Sequence, residues 1–80
     1  MTTLDELNIR LFVARQELRG FEEASADARK SAREPDAEFA PEIYLSLAAD
    51  IDAQASAKRQ EITELEADRA KLCSSIAGRI

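Results

Sequence analysis

The 80-residue sequence contains no histidine and no tryptophan, one cysteine, two glycines and two prolines. Each scarcity removes a class of chemistry. Without histidine, a serine or cysteine nucleophile lacks its usual base, and a zinc or di-iron centre lacks its usual nitrogen ligand. The single Cys73 cannot close an internal disulfide, and a lone thiol suits a reducing compartment. Gly20 and Gly78 stand too far apart in the chain to form a glycine-rich phosphate loop. Three phenylalanines and one tyrosine offer few platforms for base stacking. No apolar run approaches the roughly 18 residues of a membrane-spanning helix. The N-terminus also lacks the basic-then-apolar order of a secretion signal. These absences lead to the expectation of a non-enzymatic, cytoplasmic protein without metal or cofactor.

Sixteen acidic residues against eleven basic ones give a net charge of −5. Nucleic acids and anionic membranes are bound chiefly by positive charge, so both are disfavoured as partners. Arg10, Arg15 and Arg19 could form a basic stripe, and Arg29, Lys30 and Arg33 a second patch. Asp5, Glu6, Glu17, Glu22 and Glu23 interleave with the first group, which marks a solvated face with salt pairs. The acid pairs Glu22-Glu23 and Asp50/Asp52 fit the same description. Cys73 is expected as a packed, inert thiol, with an intersubunit contact or a reactive thiol beside Arg69 and Lys71 as alternatives.

What the chain has in abundance is helical periodicity. Leu4, Leu7, Leu11, Ala14, Leu18 and Phe21 recur at alternating spacings of three and four and continue through Ser25, Ala28 and Ala32. This spacing predicts a helix over residues 3–33. Thr3 followed by Glu6 fits a capping box, and Asp5 and Glu6 favour the positive end of the helix dipole. Arg29, Lys30 and Arg33 suit the carbonyl end. Pro35 disfavours helical backbone at Glu34 and predicts a connector over 34–40. Pro41 suits the first position of a second helix, because its missing N–H would be unpaired there anyway. Phe39 is expected to fold back as a plug over the hairpin end.

The second helix is expected over residues 41–78, with a seam of Tyr44, Ala48, Ile51, Ala55, Lys58, Ile62, Leu65, Arg69, Leu72 and Ile76. A short connector between long helices implies an antiparallel hairpin. Pairing residues whose numbers add to about 76 sets Leu4 on Leu72, Leu11 on Leu65, Ala14 on Ile62, Phe21 on Ala55 and Ser25 on Ile51. Large side chains then face small ones, as interdigitating layers require. Arg15 approaches Glu66, Glu22 approaches Arg59, and Arg29 approaches Asp52. Lys58 and Arg69 can lay their methylenes along Leu18 and Leu7. The expected fold is therefore all-α: one domain, a coiled-coil-like two-helix hairpin.

This register leaves apolar remainders. Ile9, Phe12 and Val13 lie nearly opposite the first seam, at 100° per residue. Ile43, Leu45 and Leu47 surround Tyr44, so the second helix begins apolar on nearly every side. Cys73, Ile76 and Ile80 run past the start of the first helix. A monomer would leave these exposed, and the expected remedy is a homodimer in a four-helix arrangement. The expected interface, to a second copy or to a target protein, comprises Ile9, Phe12, Val13, Tyr44, Leu45, Leu47, Leu72 and Ile76. Gly20 is expected as a tolerated surface glycine, or else as a point of close approach by a partner helix. The capping box near the start and Gly78 near the end suit a complete small protein.

In size, acidity and helicity the chain is similar to the short proteins with which phages block host machinery, such as anti-CRISPR proteins and quorum-sensing anti-activators. Small bacterial adaptors and secretion chaperones share that format, and no individual residue carries the likeness. The resemblance implies a regulator or inhibitor acting on a host defence or transcription-regulatory protein. The alternatives are a structural hairpin that only self-associates or builds into a larger complex and, less favoured, a DNA-binding protein.

Overall fold

The computed structural model describes residues 3–77 of the backbone and the side chains of residues 3–75. Two helices, α1 (Leu4–Arg33) and α2 (Pro41–Ala77), pack against each other as a hairpin. The molecule measures 63 × 17 × 15 Å, so it is two helices thick and no more. Among the described residues there is no strand and no helix long and apolar enough to cross a membrane.

The start of α1 follows from its sequence. Thr3 is extended and its hydroxyl accepts from the Glu6 backbone N–H at 3.1 Å. That satisfies one of the donors that open every helix. At the other end Glu34 is extended at φ −80°, ψ 128°, the conformation that a following proline imposes. Pro35 and Asp36 form the centre of a turn in which the Ala37 N–H donates to the Glu34 carbonyl at 3.3 Å. Proline suits the second position of such a turn because its φ is already set. Pro41 then opens α2, and Ala40 stands where a capping side chain would otherwise be.

The buried positions of α1 are Leu7, Leu11, Ala14, Ser25 and Ala28, all on the seam. Those of α2 are Ala48, Ala55 and Ile62. Leu11, Ala14 and Ile62 make one cluster, flanked by Leu18 and Leu65, so the register that pairs Ala14 with Ile62 is present. Leu11 is the one large side chain that is fully buried. Towards the connector the seam narrows to Ala28, Ala32 and Ala48.

Arg69 is exposed, as a residue that sends its charge outward must be. Two expectations need correction. Phe39 is 52% exposed and does not plug the hairpin end. Its ring meets Tyr44 edge-on at 6.1 Å, with about half of the side chain left in water. Cys73 is exposed, not packed. In the register observed, α1 begins opposite Leu72, so little of α1 remains to cover a side chain beyond that point.

Candidate interaction surface

Two regions leave large apolar side chains in water. On the back of α1, Ile9 and Phe12 are 63% exposed and Val13 is 46% exposed. They are held there by the seam itself: once Leu7, Leu11 and Ala14 face α2, helical geometry points Ile9, Phe12 and Val13 away from it. At the connector end, Phe39, Ile43, Leu45 and Leu47 are each about half exposed. Ile43 and Leu47, four residues apart, share one flank of α2, Leu45 lies on the other flank, and Phe39 precedes the helix in the connector.

The remaining candidate residues are placed differently. Tyr44 and Leu72 are half-buried between the helices, so they offer a partner less surface. Leu72 lines an open groove with Leu7, Arg10, Asp68, Lys71 and Ser75 at the far end of the hairpin. The Ile76 side chain lies outside the described residues, as do Gly78 and Ile80. No single surface therefore collects all the candidate positions. One end of the hairpin and the back of one helix are separate apolar regions.

The charged flanks set the register that creates these regions. Arg15 meets Glu66 at 3.6 Å, and Arg59 meets Glu22 at 3.8 Å. Arg29 pairs with both oxygens of Asp52. Between them sits Ser25, the one buried polar residue, which donates to Asp52 at 2.6 Å and accepts from Arg29. A seam of alanines would tolerate sliding of one helix along the other. A buried hydroxyl, by contrast, must keep its partner, so this cluster penalises a slip. The sequence places Ser25 opposite Ile51 and passes over the hydroxyl. The signal was present, in a polar residue at a seam position four residues before Arg29 and beside Asp52.

Lys58 adds a second link that pairing by number alone missed. Its stem is packed and its ammonium lies 3.0 Å from Glu17 and 2.8 Å from Glu61. The hydrogen bond that Lys58 donates to Glu61, then the one it donates to Glu17, raises the Lys58 pKa.

The Ser25–Arg29–Asp52 cluster is an ion-pair network. The hydrogen bond from Arg29, followed by that from Ser25, holds the Asp52 carboxyl below the usual carboxylate range. A carboxylate so stabilised is a weak base and cannot activate the Ser25 hydroxyl. Among the described residues no group of three or more acidic or cysteine side chains could hold a metal ion. The Arg29, Lys30 and Arg33 patch lines a groove shared with Glu22 and Asp52, so both signs of charge meet there.

The depressed Asp52 pKa gives a pH prediction. A carboxyl whose pKa is lower folded than unfolded stabilises the fold above its unfolded value, near 3.9. That contribution is lost as pH falls through the folded value. Thermal melts should therefore show Tm falling between pH 5 and pH 2 by less in Asp52→Asn than in the wild type. Equal losses in the two proteins would show that Asp52 carries no such linkage.

Compared with protein-family models, curated proteins and solved structures, the chain finds no match in any of the three.

Proposed function

We propose that the protein is a non-enzymatic protein-interaction module, a small homodimeric regulator or inhibitor that binds another protein through an apolar helix face. The observation that carries this is the set of seven large apolar side chains, Ile9, Phe12, Val13, Phe39, Ile43, Leu45 and Leu47, left 46–63% exposed on a two-helix molecule. Among the described residues the large side chains buried in exchange are Leu7, Leu11 and Ile62, the rest of the apolar core being alanine. A chain of this size gains little stability from its own core unless metal, disulfide or assembly adds to it. Assembly is the aid this composition favours, and aromatic and aliphatic anchors are the side chains that dominate protein interfaces. Two separate apolar regions allow one to serve the dimer and the other a target. The setting that fits the format is the cytoplasm, with a defence or transcription-regulatory protein of a host as target.

The competing function is structural, a hairpin that assembles only with itself or within a larger complex. Affinity capture separates the two when run with the wild type, Leu45→Asp and Leu47→Asp. A single stoichiometric protein lost with either substitution, while the variants keep their oligomeric mass, is the result expected of a regulator. Recovery of the chain alone in every capture is the result expected of a self-assembling hairpin, and would defeat the regulatory function.

A further inference from the structure

The back of α1 carries more than its three exposed apolar residues. Ile9, Val13, Gln16, Gly20 and Ala24 recur at spacings of four, three, four and four, so they form one stripe along the helix. All five are exposed. Gly20 has no conformational reason to be glycine, since its φ is not positive. It has no reason within its own chain either, because a Cβ built there would meet nothing within 4 Å. Glycine in mid-helix is unfavourable relative to alanine. A helix from outside the chain, approaching closely at this point, would supply the missing reason.

The order of side chains along the stripe identifies that helix. Read forwards it is Ile, Val, Gln, Gly, Ala, and read backwards it is Ala, Gly, Gln, Val, Ile. An antiparallel copy pairing positions that add to 33 therefore sets Ile9 against Ala24, and Val13 against Gly20, on both halves. Gln16 falls next to its own copy at the twofold axis, where each amide can donate to and accept from the other. Large faces small at the Ile9–Ala24 and Val13–Gly20 pairs, as it does at Ala14–Ile62 and Phe21–Ala55 of the internal seam. A stripe that complements itself about a twofold axis is what an isologous dimer requires, and an unrelated partner would not call for it.

In this register residues 4–29 of α1 overlap, which is about 39 Å of helix at 1.5 Å per residue. At a helix diameter of about 10–12 Å the strip is roughly 400–450 Å², about half of the roughly 800 Å² per partner of a standard interface.

We infer that the back of α1 is the homodimer face, with Val13 of each protomer seated over the partner's Gly20 and Gln16 at the twofold axis. This rests on the dimeric part of the function proposed above. It assigns Phe12 to the edge of that interface and leaves Phe39, Ile43 and Leu47 free for a target.

The test uses the full chain carrying Cys73→Ser. By sedimentation equilibrium this protein is a dimer. Gly20→Leu is compatible with the isolated hairpin, where the position is open, and leucine is the better helix former. In the dimer it fills the notch twice and should weaken association roughly 100-fold or more, with helicity unchanged. Under mild oxidation Gln16→Cys should crosslink to dimer nearly completely. Ala24→Cys should not, because antiparallel copies hold those positions about 22 Å apart along the axis. A monomeric parent protein at 100 μM would overturn this pairing and the dimeric function together. A dimer that survives Gly20→Leu, or an Ala24→Cys that crosslinks as readily as Gln16→Cys, would overturn the pairing alone and move the dimer to another face.

Discussion

Leu11→Ala lowers the stability of the protein by about 2–5 kcal/mol, the range measured for truncating buried leucines. Leu11 is 1% exposed and sits at the centre of the Leu11–Ala14–Ile62 cluster. The effect belongs at the upper part of that range for two reasons. Leu11 is almost completely buried, so nearly all of its contacts are lost on truncation. Its neighbour across the first turn is Ala14, too short to collapse into it. Glu64→Ala, at an exposed position, should change stability by less than about 0.5 kcal/mol. Denaturant melts of the two variants check this, and equal losses would mean that the helices do not meet along this seam.

Phe12→Asp separates the dimer into helical monomers. Phe12 makes none of the core contacts of its own chain, being 63% exposed, so the hairpin has no need of it. At the edge of the proposed interface the substitution removes the apolar contact of the ring, about 1.5–3 kcal/mol for a buried phenylalanine, and adds a partly desolvated carboxylate, so association should weaken roughly 10- to 100-fold. Light scattering gives the mass and circular dichroism the helicity. Halved mass with unchanged helicity is the expected outcome. A variant that keeps its dimeric mass but loses a target would instead make Phe12 part of the docking face. One that keeps both would leave Ile9, Phe12 and Val13 as ordinary exposed residues, and the connector end would carry the interaction.

The sequence by itself determined the hairpin, because its signals are local. Three-four spacing fixes which side of each helix is apolar, Thr3 and Pro41 act on the first turns, and Pro35 acts on the residue beside it. Register was legible as well, since an antiparallel pair relates positions by a constant sum. The Arg15–Glu66, Glu22–Arg59 and Arg29–Asp52 pairs all satisfy it. Tertiary structure decided what depends on the third dimension. Ser25 and Asp52 were read as a seam residue and a surface acid, and only the approach of the helices joins them through Arg29. Lys58 reaches Glu17 from a seam position because the long stem can cross the gap between helices, which spacing along one helix does not reveal. Phe39 meets Tyr44 edge-on and stays half exposed, a contact that apolar periodicity does not encode because Phe39 lies in the connector. Gly20 reads in the sequence as a surface glycine or a point of close approach by a partner helix, and the folded chain leaves open space around it.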